Sequence, residues 1–172
     1  NSATPNNVSR AGVFVGFENN ITISCNSISE VASSVSTEDV FGISLGTNSI
    51  STTSLAGNEV SNATITKNKI GTIIQTASAS SCGIYVAPTT IGNNMIANNM
   101  ISGVSANSTS GELNAGLLVG GGTGSTTSVY YNTIAMLGSS IAPDKTFAIA
   151  IGGNNPVVDV RNNICVNTQG NG

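Results

Sequence analysis

A short phrase recurs along this chain: an aliphatic residue, two variable residues, an asparagine, one more residue and a second aliphatic. Recurrence of a motif at a fixed period is the sequence signature of repeat architectures. The regular copies are Ile23–Ile28, Ile65–Ile70, Ile96–Ile101 and Val129–Ile134. A last copy, Val160–Ile164, is slipped by one residue, so either Asn162 or Asn163 continues the series. The chain is therefore expected to fold as a stack of similar units.

A second marker has the same period. It is a glycine followed by three apolar or small residues, and in its last copy alanine replaces the glycine. Both series recur about every 32 residues in about five copies, and both contain one interval that is roughly ten residues longer. Residues 47–61 account for the excess, and insertions in a repeat array map to loops on one face. The second series begins at Gly12, Gly42, Gly83, Gly116 and Ala148.

Strands, and no helices, fit the segments between these markers. Residues Asn20–Ser24 alternate apolar and polar side chains, which is typical of a half-buried strand. Glycine, asparagine, serine and threonine interrupt every window of helical periodicity. About three short strands fit each repeat. A β-sandwich would explain short strands but not the recurrence of one motif, so the pattern favours an all-β solenoid. We expect a single domain over residues 1–172, which can be a segment of a longer array.

The asparagines have a structural explanation in such a solenoid. Equivalent residues of stacked coils form columns, and an inward asparagine at a corner can bond backbone groups that no sheet reaches. Asparagine also tolerates the left-handed backbone of tight corners. Asn58 and Asn94 occur in two further, overlapping matches and are alternative members. The predicted column is Asn26, Asn68, Asn99, Asn132 and Asn163.

The chain resembles the right-handed parallel β-helix repeat proteins, the pectate-lyase-like superfamily, over about residues 12–168. Residues Ser128–Ile134 and Val158–Thr168 are most similar to repeats of large secreted surface proteins of Bacteroidetes-type bacteria. The resemblance implies a right-handed parallel β-helix of about five coils of roughly 32 residues, with a longer loop around residues 47–61. It also implies a secreted or cell-surface location.

Composition excludes several functions. Only 8% of the residues are charged, the net charge is −3, and there is no histidine. Nucleic-acid binding is not expected, because it requires several phosphate contacts from lysine or arginine. Membrane insertion is not expected either, because no apolar run reaches the length of a spanning helix. The three cysteines, Cys25, Cys82 and Cys165, are expected to be buried free thiols, with one disulfide as the alternative.

No catalytic residue, metal site or cofactor is predicted. A histidine-dependent nucleophile is impossible, and the paired carboxylates of glycoside hydrolysis are missing. Glu38 and Asp39 are adjacent but supply too few ligands for calcium. Gly120–Gly124 lacks the helix and lysine of a phosphate loop. Asp159 and Arg161 are interpreted as paired surface charges, with Lys67 and Lys69 on a similar face. Tyr85, Tyr130 and Tyr131 fit packing better than sugar stacking.

These features predict a non-catalytic, extracellular structural or adhesive β-solenoid that associates end to end, because uncapped sheet edges invite stacking. Self-association and polysaccharide are the expected partners. The alternative from the same resemblance is a carbohydrate-active enzyme or carbohydrate-binding module. A phage or pilus-like fibre protein is a weaker third interpretation. Ice binding is disfavoured because Thr64 and Thr66 alone do not form a regular threonine array.

Overall fold

The chain winds as a parallel β-solenoid. The computed structural model describes residues 10–50, 60–107, 112–138, 145–153 and 155–169. Within these ranges every regular element is a β-strand, and each strand pairs in parallel with its equivalents one turn away. The predicted all-β solenoid is therefore confirmed. Over the same ranges the chain has no helix that is long and apolar enough to span a membrane.

Two five-stranded sheets form two sides of the solenoid. Sheet 1 contains the glycine series and consists of β1 (Ala11–Val15), β6 (Val40–Leu45), β11 (Ser81–Val86), β15 (Leu113–Val119) and β18 (Lys145–Ile151). Sheet 2 leads into the asparagine corner and consists of β3 (Thr22–Ser24), β8 (Thr64–Thr66), β12 (Asn93–Ala97), β16 (Thr126–Tyr130) and β19 (Val157–Arg161). In each sheet the strands follow one another in chain order along the solenoid axis.

The third side is divided between two sheets. Sheet 3 follows the asparagine corner and consists of β4 (Ser27–Ile28), β9 (Lys69–Ile70), β13 (Met100–Ser102), β17 (Thr133–Met136) and β20 (Ile164–Asn167). Sheet 4 consists of β5 (Val31–Ser33), β10 (Ile73–Gln75) and β14 (Val104–Ala106), and a small pair joins β2 (Glu18–Asn19) to β7 (Val60–Ser61). Three turns therefore have a fourth main strand, where the sequence predicted three.

The number of turns is slightly lower than predicted. The five strands of each large sheet span about four turns, roughly 33 residues apart, not five coils of about 32. Five copies of a marker have only four complete turns between them, which explains the difference. Ser81 aligns with Asn114 in the regular spacing, whereas Phe41 aligns with Cys82 across the longer turn. The extra length of that turn lies where the sequence placed the insertion.

The core is a stack of aliphatic side chains inside the solenoid. The two aliphatics of the asparagine phrase are fully or nearly buried in the first four copies. Ile65 aligns with Ile96 in sheet 2, and Ile70 aligns with Ile101 in sheet 3. Branched side chains stack on one another at the spacing of the strands, so each turn contributes the same kind of residue to the interior. The repeat pattern thus supplies a continuous hydrophobic core.

The glycine and asparagine series meet in this core. A Cβ built on Gly83 would lie 2.5 Å from Ile101 Cγ2, and one on Gly42 would lie 2.5 Å from Ile70 Cγ2. Gly12 and Gly116 face the equivalent isoleucines in the same way. The first four copies therefore need glycine in sheet 1, because the isoleucine after the corner asparagine occupies the space of a side chain.

The three middle strands of sheet 1, β6, β11 and β15, are buried on their outer face as well. Phe41 and Tyr85 stack there with ring centroids 5.4 Å apart and an interplanar angle of 13°. The start of the predicted insertion packs against this face, because Ile50 contacts the same apolar cluster. Asp39 Oδ2 accepts a hydrogen bond of 2.7 Å from the Ile50 backbone N–H and fixes that end of the loop. Residues 51–59 of the insertion lie outside the described ranges.

Candidate functional site

The structure places the five predicted asparagines in one column at the corner between sheets 2 and 3. Each side-chain Oδ1 accepts from the backbone N–H and the Nδ2 of the asparagine one turn before it. For example, Asn99 Oδ1 accepts both bonds from Asn68 at 3.0 Å. The column runs without interruption from Asn26 to Asn163 and links every coil to the next.

The four asparagines after Asn26 also reach back to the preceding turn. The Nδ2 of Asn68 donates to the Ile23 carbonyl oxygen, and that of Asn99 donates to the Ile65 carbonyl oxygen, both at 2.9 Å. Asn68, Asn99 and Asn132 are no more than 1% exposed. These three side chains are occupied by the fold and are inaccessible to a ligand. They belong to a structural ladder rather than a binding motif.

The alternative asparagines do not take part in the ladder. Asn94 is buried, but its Oδ1 accepts from the Ala63 N–H, and its Nδ2 donates to the Ile91 carbonyl oxygen. Asn58 lies outside the described ranges. In the slipped last copy Asn163 continues the ladder and Cys165 aligns with Ile134, so the position of the second aliphatic is taken by a cysteine.

The residue before each ladder asparagine forms an exposed row on the same corner. The backbone of this preceding residue is left-handed in every coil, so the left-handed conformation expected at the asparagine occurs one residue earlier. Each backbone N–H in the first four of these positions donates to a carbonyl oxygen of the next coil. We call these residues the corner row: Cys25 (φ 59°), Lys67 (φ 58°), Asn98 (φ 57°), Tyr131 (φ 57°) and Asn162 (φ 56°).

A cluster of charged and aromatic side chains adjoins the end of this row. Arg161 binds Asp159 through two bonds, Nε to Oδ1 and Nη2 to Oδ2, each 2.7 Å. The Tyr130 hydroxyl donates to Asp159 Oδ2 at 2.7 Å, and the Arg161 guanidinium lies 6.0 Å from the centre of the Tyr130 ring. Tyr131 meets the Tyr130 ring edge-on at 6.4 Å. The cluster is therefore held in one arrangement by four side chains from two neighbouring coils.

Hydrogen bonding keeps Asp159 ionised. The Tyr130 hydroxyl, and then Arg161, hold the pKa of this carboxyl below its usual range. Asp159 in turn raises the pKa of the Arg161 guanidinium. The predicted surface pair is thus present, but Tyr130 joins it, which the sequence did not indicate.

The two lysines predicted on a similar face lie at the same corner as this cluster, three coils earlier. Lys67 is in the corner row, and Lys69 is an exposed residue of β9. Strand pairing aligns Arg161 with Tyr130, and Tyr130 with Ala97, not with either lysine. Within the part of the chain that the structure describes, no ion pair joins either lysine to Asp159.

The acids considered for calcium have structural partners. Glu38 Oε2 accepts from the Ser33 hydroxyl at 3.0 Å, and Arg10 lies beside Oε1. Asp39 is buried, and its Oδ1 accepts from the Ser80 N–H at 2.9 Å. Over the ranges that the structure covers, no group of three or more histidine, cysteine, aspartate or glutamate residues could hold a metal ion.

The glycine run after β15 forms a turn. Gly122 donates its N–H to the Thr90 carbonyl oxygen one coil earlier at 2.9 Å. The turn leads into β16, so the segment that follows it is a strand and not the helix of a phosphate loop. Gly121 and Gly124 have positive φ angles, which explains the residue type at these two positions.

The prediction that the cysteines are free thiols is confirmed for all three, but the prediction that they are buried is correct only for Cys82. All three are free, but only Cys82 is buried, while Cys25 and Cys165 are exposed. Burial raises the pKa of the Cys82 thiol, so it stays protonated and packs as a small apolar group. Cys25 stands in the corner row and Cys165 in the last coil, both at surfaces of the solenoid.

A shallow apolar depression lies on the outer face of sheet 1. Its volume is about 200 Å³. Tyr85 is 2% exposed and packs against Phe41 at its base, so this tyrosine serves the outer apolar cluster. The lining residues are Ile50, Tyr85, Pro88, Leu113, Leu118, Gly120, Gly152 and Gly153.

No family model matches the chain, and no curated protein or solved structure shows significant similarity to it. The parallel β-solenoid that the resemblance implied is present in the structure itself. Membership of the pectate-lyase-like superfamily and a Bacteroidetes-type origin stay predictions.

Proposed function

We propose that this chain is a non-catalytic structural β-solenoid that works as a rigid spacer and associates end to end. The observation that carries the proposal is the continuous asparagine ladder above a continuous aliphatic core. In every interior turn the recurring asparagine bonds the next turn and holds it in register. A solenoid built from nearest-neighbour contacts of this kind forms a stiff rod whose length is set by the number of turns.

The last coil is the end at which we place the association. Its inward column residue Val160 is 43% exposed, whereas Val129, one coil earlier, is fully buried. At the other end Ile23 is only 6% exposed. The apolar area that a further coil would cover is therefore concentrated at β18, β19 and β20, where strand edges are also available for pairing.

Alanine at position 148 limits how closely another coil can stack. A Cβ on Gly42 or Gly83 would lie 2.5 Å from a carbonyl oxygen of the following strand of sheet 1. The Ala148 methyl group occupies the corresponding position in the last coil. We therefore expect association to be reversible and to become tighter when Ala148→Gly removes the methyl group.

Sedimentation velocity over a range of concentrations tests the association. Val160→Asp places a charge on the inward face of the last coil and should yield a monomer. Val157→Asp is the matched control, because Val157 is 61% exposed and lies on the outer face of the same strand. A wild-type chain that stays monomeric throughout, or two variants that behave alike, would contradict the proposal.

We also propose a secreted or cell-surface location within the pectate-lyase-like group. The support is the resemblance of Ser128–Ile134 and Val158–Thr168 to repeats of large secreted surface proteins, together with a composition that is rich in serine and threonine and only 8% charged. Fractionation of cells that express the gene, with antibody detection of the chain, tests the location. Recovery in the cytosol alone would overturn it.

A further inference from the structure

The asparagine ladder has a direction. In every step the later asparagine accepts through Oδ1, and the earlier one donates its backbone N–H and its Nδ2 group. Asn26 therefore begins the ladder with an Oδ1 atom that accepts no hydrogen bond from the described chain. Asn163 ends it with a backbone N–H that donates to no atom of the described chain. One end of the ladder is thus an acceptor, and the other end is a donor.

Both ends of the ladder are accessible. Asn26 is exposed and Asn163 is partly exposed, whereas the three asparagines between them are buried. The chain after β20 turns back over earlier coils, because Gln169 Nε2 donates to the carbonyl oxygens of Leu137 and Val104. The described residues that follow β20 therefore leave the last coil open.

Two arrangements of two copies use the open last coil. In a tail-to-tail contact two last coils meet, so the second copy is inverted and its strands run antiparallel to the strands that they meet. In a head-to-tail contact the last coil of one copy meets the first coil of the next. Every strand then continues its sheet in parallel, which is how the described strands of this solenoid pair within one chain.

The ladder favours the head-to-tail contact. In a tail-to-tail contact the Asn163 N–H meets a second donor or no ladder asparagine at all, since Asn163 Oδ1 already accepts two bonds from Asn132. An N–H group that is buried without a partner destabilises such a contact. In a head-to-tail contact the same N–H meets the free Oδ1 of Asn26, and this bond is the one that joins every other pair of coils.

We propose that copies of this chain join head to tail, with the Asn163 N–H of one copy donating to Asn26 Oδ1 of the next. The inference rests on the proposed end-to-end association and specifies its partner surface and its direction. In the joined copies β19 pairs with β3 and β20 pairs with β4, so Val160 continues the column of Ile23. Each added copy again presents a free donor end, so the product is a polar filament and not a closed dimer.

The corner row gives this contact a measurable geometry. Cys25 begins the row and Asn162 ends it. Head-to-tail stacking places these two positions in adjacent coils, about 4.8 Å apart, which is within the Cα separation that a disulfide spans. A tail-to-tail contact instead places Cys25 at the far ends of the pair, away from Asn162.

Disulfide trapping between two different chains tests the direction. One chain carries Asn162→Cys and Cys25→Ser, and the other retains Cys25. Both carry Cys165→Ser, so each has one exposed thiol, and Cys25 itself shows that cysteine fits the left-handed corner row. After mild oxidation with oxidised glutathione, a non-reducing gel should show a linked dimer in the mixture, and either chain alone should give about tenfold less.

Ile164→Cys with Cys25→Ser is the matched control for the first chain. Ile164 is 63% exposed in the same coil, but it belongs to the column of Thr133 in sheet 3 and not to the corner row. Its dimer with the Cys25 chain should be about tenfold less abundant than that of Asn162→Cys. Equal yields would overturn the proposal, because random collision of exposed thiols would then explain both.

Asn26→Ala in the Cys25 chain tests the ladder bond itself. The substitution removes the free acceptor, so the yield of mixed dimer should fall about fivefold. Ser27→Ala, at the next exposed position, should leave the yield within about twofold. Equal yields from these two variants would contradict the bond between Asn163 and Asn26.

The trapping also separates this inference from the spacer function. A dimer of the Asn162→Cys chain with itself would show a tail-to-tail contact, which overturns the head-to-tail direction and leaves end-to-end association intact. A mixture that gives no dimer, although the wild-type chain associates in sedimentation, overturns the direction as well. A chain that is monomeric in sedimentation and is not trapped overturns both proposals.

Discussion

The third turn and the last coil solve the same packing problem with different residues. In the third turn Gly83 faces Ile101, and a Cβ on the glycine would clash with that isoleucine and with the Gly116 carbonyl oxygen, each at 2.5 Å. In the last coil Ala148 takes the place of glycine, and the position equivalent to Ile101 is held by Cys165. In the last coil alanine, which is larger than glycine, thus accompanies cysteine, which is smaller than isoleucine.

This difference shows what the interior coils require. Two independent constraints act on the glycine position there: the isoleucine of its own turn and the backbone of the next turn. The last coil is free of the second constraint within the described chain, and cysteine relaxes the first. The ladder changes in parallel, because Asn99 is fully buried, whereas Asn163 is partly exposed. Interior turns should therefore tolerate substitution much less than the last coil.

The largest expected difference concerns the ladder. Asn99→Ala removes the acceptor of the Asn68 N–H and the donor to the Ile65 carbonyl oxygen, and both stay buried. Unsatisfied groups of this kind cost about 1–3 kcal/mol each, so the free energy of unfolding should fall by about 4 kcal/mol. Asn163→Ala should cost about 1 kcal/mol, because water can replace its partners. Urea unfolding of both variants measures the two values, and equal losses would contradict the comparison.

The next largest effect is expected at the glycine column. Gly83→Ala should lower the free energy of unfolding by about 3 kcal/mol, as overpacking of a tight core does. Adding Ile101→Cys should restore only part of this loss, because the Gly116 carbonyl oxygen still blocks the methyl group. Denaturant unfolding of the single and double variants distinguishes the two causes, and full rescue would show that the carbonyl contact is unimportant.

A smaller effect is expected when the interior pair is rebuilt in the last coil. Cys165→Ile alone should be neutral or mildly destabilising, because Ala148 occupies part of the space. Combined with Ala148→Gly it should become favourable, with a coupling free energy of about 1 kcal/mol. A double-mutant cycle of thermal unfolding measures this value. Strict additivity would mean that the two positions do not share space.

The smallest effect is a pH dependence confined to the last coil. The pKa of Asp159 is lowered in the folded chain, so its contribution to stability is present above its unfolded pKa. The contribution is lost as the pH falls through the lower, folded value. The amide protection factors in β19, which are corrected for the intrinsic exchange rate at each pH, should therefore fall at acid pH, while those in β11 stay unchanged. Tyr130→Phe should reduce this dependence, because the hydroxyl is the first cause of the shift, and an unchanged profile would argue against that role.

Much of the fold was predictable from spacing alone. The two series of equal period predicted the all-β solenoid, and the long interval predicted the position of the inserted loop. The contact between Gly83 and Ile101 was not predicted, because a shared period does not reveal which columns touch. The left-handed residue before each asparagine also escaped prediction, since Cys25, Lys67 and Tyr131 have no common residue type.

The cluster around Asp159 was even less visible in the sequence. Tyr130 and Arg161 are far apart along the chain, and they become neighbours only when the ladder fixes the register of the coils. The outward alternation of Asp159 and Arg161 was apparent from the strand pattern, but the hydrogen bond from Tyr130 depends on pairing between β16 and β19. A surface site in a solenoid is formed by residues at nearby positions of successive coils. Such a site can be located only when the register between the coils is known.

Amide hydrogen exchange along the ladder tests the central claim most directly. The backbone N–H groups of Asn68, Asn99 and Asn132 each donate to the next ladder side chain. Their exchange should therefore be slow and limited by global unfolding. The N–H of Asn163, which has no ladder asparagine after it in the described chain, should exchange orders of magnitude faster. Similar rates at Asn99 and Asn163 would contradict the account, because the ladder would then not hold the interior turns together.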